Sequence, residues 1–151
     1  MEAFGIIDIL RNYCIENDIY FIPGDSAYVN AISDENIYKD NDLILIANFT
    51  SSPNFYASRI TSNKYSGLLA LGRKREITDD SPQVETESSL DETFEQKYDR
   101  RLRYLANRLA GIIGDIACEN EYEVDSVNFK LQLNDLDLNA DFVACTLNFN
   151  E

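Results

Sequence analysis

The 151-residue chain contains no histidine and no tryptophan, one methionine, three prolines and three cysteines, and its 13 basic residues face 27 acidic ones, a formal charge of -14. Each shortage excludes something. Without histidine the commonest general base and a favoured metal ligand are missing, and with them the usual nucleophile–histidine–acid triads. Cys14, Cys118 and Cys145 are odd in number, far apart and set among apolar residues. They suggest neither a disulfide framework nor a zinc knuckle, and read as packing thiols in a reducing cytoplasm. The scarcity of cations opposes general affinity for nucleic acid, because the phosphate backbone rewards clustered positive charge. It favours solubility and a partner with a basic surface.

No run approaches the roughly 18 consecutive apolar residues of a membrane span. The start, "MEAFGIIDILRNYC", has an acid at its second position and charges inside its apolar pattern, unlike the basic start and unbroken apolar stretch of a signal peptide. The expectation is a protein made and kept in the cytoplasm, or delivered from it by assembly or lysis, with no membrane partner.

At 44% hydrophobic, the chain has enough apolar surface for one ordinary domain over residues 1–151. In residues 3–17, Phe4, Ile7, Leu10 and Cys14 recur at three or four, with Ile6 and Tyr13 flanking them, the period of an amphipathic helix. "IYFIPGD" is a short extended segment ended by a Pro-Gly turn. "LILIANF", residues 43–49, is a buried strand by its length and continuity. Between them, "SAYVNAISDENIYKDND" is polar and fits either a short strand or a turn of helix. Residues 54–60 and 64–74 are expected as strands joined by a hairpin at "TSN", with Gly67 and Gly72 marking a bulge or a close backbone approach.

Residues 76–89, acidic and hydroxyl-rich around Pro82, show no apolar face and predict an exposed, mobile loop. Ser89 and Glu92 stand at capping-box spacing, and Phe94, Tyr98, Leu102, Leu105, Leu109, Ile112 or Ile113, and Ile116 then mark a long amphipathic helix over about 90–118. Gly111 and Gly114 weaken it by about 1 kcal/mol each, which close packing on a sheet would explain. Val127, Phe129, Leu131 and Leu133 alternate with polar residues and predict a strand with one buried face. Val143, Cys145, Leu147 and Phe149 repeat the pattern and close an antiparallel C-terminal hairpin. The fold class is α+β: an antiparallel sheet packed with an N-terminal helix and one long central helix.

Two acidic patterns invite a chemical reading. Asp135, Asp137, Asn139 and Asp141 alternate as the first ligands of a calcium loop do, but Ala140 stands where glycine is needed and Thr146 where a bidentate glutamate belongs. Asp79 and Asp80, and Glu85 and Glu87, sit in the least ordered-looking stretch, where no pocket would displace their titration. No glycine-rich phosphate cradle follows a strand. The chain therefore reads as non-enzymatic, with no catalytic residue, cofactor or metal assigned.

Charge placement is the distinctive feature. Eight of the 13 cations, Arg73, Lys74, Arg75, Lys97, Arg100, Arg101, Arg103 and Arg108, fall within residues 73–108. Residues 1–60 hold nine acids against three bases, and residues 109–151 nine against one. A molecule polarised in this way suits head-to-tail association with copies of itself, which makes the eight cations a candidate subunit interface. The competing reading is a solvated helix face decorated with pairs such as Asp99 and Arg103, each contributing only about 0.3–0.5 kcal/mol.

The order of elements, from the helix at "FGIIDILRNYC" to the strands at "VNFKLQL" and "FVACTLNF", resembles that of the tail-terminator and tail-completion proteins of tailed bacteriophages. "GLLALGRKRE" and "SLDETFEQKYDRRLRYLANRLAGII" are similar to stretches of phage structural proteins. The resemblance implies a virion protein assembled in the host cytoplasm: a non-catalytic ring of sixfold or twelvefold symmetry in the neck or tail. Its partners would be its own copies and the portal, connector and tail proteins, with DNA passing through the channel without specific binding. The alternative class is an acidic regulatory module that mimics DNA or occupies a basic partner.

Overall fold

The computed structural model describes residues 2–24, 43–74, 93–135 and 140–151. The elements run α1 (Gly5–Glu16), β1 (Ile19–Pro23), β2 (Leu43–Tyr56), β3 (Arg59–Lys74), a long helix α2, β4 (Glu123–Asp135) and β5 (Ala140–Asn150). Helix α2 begins as Phe94–Lys97, widens into a π turn at Tyr98–Leu102 and continues as a regular α-helix over Arg103–Asn120. The strands form one five-stranded sheet in the order β1-β2-β3-β5-β4. All neighbours are antiparallel except β1 and β2, which run parallel. The domain is thus α+β with a mixed sheet and a C-terminal strand pair.

Both helices bury apolar side chains against one face of the sheet. From α1 come Ile6, Leu10, Tyr13 and Cys14, and from α2 Leu102, Leu105, Leu109, Ile112, Ile113 and Ile116. They meet Leu45, Ala47 and Phe49 of β2, Tyr65, Leu69 and Leu71 of β3, and Val143, Cys145, Leu147 and Phe149 of β5. Each fully buried side chain of this kind contributes about 1.5–3 kcal/mol relative to exposure. Ile22, Ile44, Ile46, Ala70 and Phe142 form a second cluster, which the strict alternation of strand side chains places on the opposite face.

Several expectations are corrected. The inward face of α1 is centred on Ile6, Leu10 and Tyr13, and Phe4 is half exposed. The hairpin after β2 does not turn at "TSN". Strand β2 continues through Pro53 to Tyr56, and the turn is Ala57-Ser58, both with left-handed φ of 49° and 70°. That is the two-residue geometry whose twist matches the flanking strands. Pro53 is tolerated because β1 pairs with β2 only as far as Ala47, so this part of β2 has an open side among the described residues.

Gly67 and Gly72 mark close approaches rather than bulges. A Cβ on Gly67 would lie 2.1 Å from the Asn48 carbonyl oxygen, and one on Gly72 2.3 Å from the Phe142 ring. Gly111 and Gly114 face open space, with nothing within 4 Å, so close helix-on-sheet packing does not explain them. Residues 26–42, the acidic loop at 76–89, and Ser89 with Glu92 lie outside the described residues. Thr93 and Gln96 form a reciprocal capping box at the start of α2: the Thr93 amide donates to Gln96 Oε1 at 2.9 Å and the Gln96 amide to Thr93 Oγ1 at 3.3 Å.

Candidate functional site

The cations expected to form an interface are distributed among different roles. Arg101 points inward: it is 4% exposed and grips the fully buried Asp141, with Nε donating to Oδ2 at 2.9 Å and a second guanidinium nitrogen donating to Oδ1. It therefore leaves almost no surface on the single chain. Asp141, read above as the end of a calcium-like pattern, is committed to this pair, while residues 136–139 lie outside the described segments. Arg73 pairs in register with Asp141 across β3 and β5, and its guanidinium lies 4.4 Å from the centre of the Tyr104 ring.

Arg103 is exposed, forms an ion pair with Asp99 one turn earlier and stands 5.7 Å from the Tyr98 ring centre. Arg100 and Arg108 are half-buried. The charge of Arg108 reaches the junction of the two helices, where the Tyr13 hydroxyl donates to Asp115 Oδ2 at 2.8 Å. Burial first, and then this hydrogen bond, push the Tyr13 hydroxyl up to about 12. Lys74 ends β3 and Lys97 ends the first turn of α2, whereas Arg75 lies outside the described residues. Among the described cations, Arg101 lies in the core on Asp141 and Arg103 lies exposed on α2.

The exposed apolar side chains of the sheet lie elsewhere. Strand β4 is at the edge of the sheet, and Val127, Phe129 and Leu131, expected in the core, are 45%, 41% and 39% exposed. Phe129 pairs with Cys145 and Leu131 with Val143, so both lie on the helix-bearing face but beyond what the helices cover. The pairing with β5 shifts between Asp125 and Asn128, where Ser126 takes a left-handed φ of 55°. Such a bulge re-aims the strand.

A second exposed group caps the β2–β3 hairpin, where Phe55 is 66% and Tyr56 77% exposed. The base of this hairpin is tied down by Asn63, 2% exposed. Its side chain donates to the Ala3 carbonyl at 3.0 Å and accepts from the Ser51 hydroxyl at 2.8 Å, and its carbonyl accepts from the Glu151 amide at 3.0 Å. Beneath it Phe49, Tyr65, Tyr122 and Phe149 pack with ring centres 5.8–6.2 Å apart along the chain of contacts.

The face opposite the helices carries a shallow open depression of about 500 Å³ around Gly67, lined by Asn48, Ser66, Thr146 and Asn148 among others. These neutral amides and hydroxyls suit polar contact rather than proton transfer. Among the described residues no three potential ligands converge on a metal position, and no helix is long and apolar enough to cross a membrane. Compared with family models, with curated proteins and with solved structures, the chain finds no match.

Proposed function

We propose that this chain is a non-catalytic structural subunit that closes with its own copies into a ring at the head-to-tail joint of a tailed-phage virion, linking portal or connector to tail. The observation that carries the reading is the β4 edge. A strand of 13 residues offers apolar side chains beside its outer backbone, and no described strand pairs with that side. Natural sheets shield such edges, and apolar area left on one marks an interaction surface.

Charge supports the same reading. A copy carrying -14 resists indiscriminate aggregation, so association must use specific surfaces. A ring of acidic copies also gives a channel wall that repels passing phosphate and does not hold the duplex. Sedimentation and native mass measurement across concentration at low and high salt test the proposal. The expected result is one closed assembly of six or twelve copies that is incorporated into particles. A strict monomer under all conditions, or a stoichiometric complex with one basic protein and no self-assembly, overturns it.

A further inference from the structure

The β2–β3 hairpin outruns its neighbours. Pairing with β1 ends at Pro23 and Ala47, and pairing with β5 ends at Asn150 and Lys64. Beyond those points the two strands continue as a ribbon, closed by Ala57-Ser58, with no further strand beside it among the described residues. Isolated two-stranded ribbons are marginal in water. This one is anchored through Asn63 to the Ala3 carbonyl and the Glu151 amide, so it stands as a fixed arm rather than a loose loop. Its tip holds Phe55, Tyr56 and the exposed Arg59.

We infer that this aromatic tip docks onto the Val127–Phe129–Leu131 stripe of β4 on a neighbouring copy, an inference that rests on the ring reading above. The tip cannot fold back onto its own stripe. Arg59 lies five residues beyond Lys64, about 17 Å at ~3.4 Å per residue, and β4 starts level with Lys64 and runs the other way, since Lys64 and Glu123 both pair with Asn150. The knob therefore projects past one end of the sheet, while the stripe that suits it lies along the lateral edge.

Both surfaces belong to the same chain, and their charges match. The tip carries the cation Arg59, and the approach to the stripe carries the exposed acids Glu121, Glu123 and Asp125. Two different patches meeting between copies make a heterologous contact, the kind that repeats from subunit to subunit until it closes as a ring. Each copy then gives its tip to one neighbour and its β4 stripe to the other.

Paired cysteines test the contact. In a Cys118→Ser background, which removes the exposed native thiol, Y56C and F129C are placed on separate chains and mixed under mild oxidation. A covalent pair at least tenfold more abundant in the mixture than in either chain alone is expected. A chain carrying both substitutions should give a ladder of covalent multimers. F55S/Y56S, at exposed positions, should leave the urea midpoint unchanged and weaken association at least tenfold. An oligomer of parental mass with no mixed cross-link and no sensitivity to F55S/Y56S overturns the docking and leaves the ring standing. Cross-linking by F129C alone shows β4 meeting β4 and likewise overturns the docking. A parent chain that remains monomeric at every concentration overturns the ring itself.

Discussion

Arg101 and Asp141 form a two-pronged ion pair, 4% and 0% exposed, that ties the π turn of α2 to the start of β5. Removing one partner leaves the other charged and out of water, which typically costs about 3–5 kcal/mol. Asp141→Ala is expected to fall in that range by urea unfolding. Replacing both, as in R101M/D141L, should recover most of the loss, because an apolar pair of similar volume needs no desolvation of charge. Equal instability of the single and double variants would refute this account.

The four glycines at close or open sites separate into opposite expectations. Gly67→Ala forces a methyl into the Asn48 backbone and should destabilise by about 1–3 kcal/mol or more. Gly111→Ala meets nothing and should stabilise by about 0.5–1 kcal/mol through helix propensity. Thermal midpoints of the two variants, moving in opposite directions from the parent, check both at once.

High pH should unfold the protein progressively. Burial holds the Cys14 thiol up at about 12 against an ordinary 9, and burial with the Asp115 hydrogen bond holds Tyr13 at about 12 against 10. Tyr65, Tyr122 and Cys145 are shifted the same way, chiefly by burial. The unfolded chain releases these protons first, so their contribution is complete below about pH 9 and is lost as pH rises towards 12. Urea midpoints from pH 8 to 11 should fall steadily. At pH 8 a disulfide reagent should modify Cys118 rapidly, with Cys14 and Cys145 protected until unfolding.

Thr93→Ala removes one half of the reciprocal cap with Gln96 and should cost about 1 kcal/mol. Thr93→Ser, which keeps the hydroxyl, should restore most of it. The readout is the urea midpoint, with helicity at 222 nm confirming that the loss begins in α2.

The elements were legible where periodicity was strong, and the surfaces were not. The stripe from Leu102 to Ile116 reads directly from its spacing. In α1, Ile6, Ile7, Ile9 and Leu10 are all apolar, so periodicity fixed the helix without fixing which edge of that wide stripe faces inward. The turn at Ala57-Ser58 was hidden because neither residue is among the glycine, asparagine or aspartate that usually signal left-handed backbone.

Strand alternation puts Phe129 and Leu131 on one face of β4, which proves to be the helix side, but carries no information about coverage, so the buried face expected there is exposed. Two helices, each about 10 Å across, shield roughly four strands spaced about 4.8 Å apart. A five-stranded sheet with two helices therefore leaves one edge bare, an argument that needs the strand order as well as the sequence. The basic cluster was visible as composition, yet only packing reveals that Arg101 turns inward to Asp141.

The π turn at Tyr98–Leu102 sets the phase of the helix that contains it. A π turn holds one more residue than the α turn it replaces, so it shifts the phase of everything before it relative to everything after. Arg101 and Leu102 end that turn and are both buried, Leu102 in the apolar core and Arg101 on Asp141. The widened turn and the buried ion pair thus sit at one place in the fold, where α2 is fastened to the start of β5.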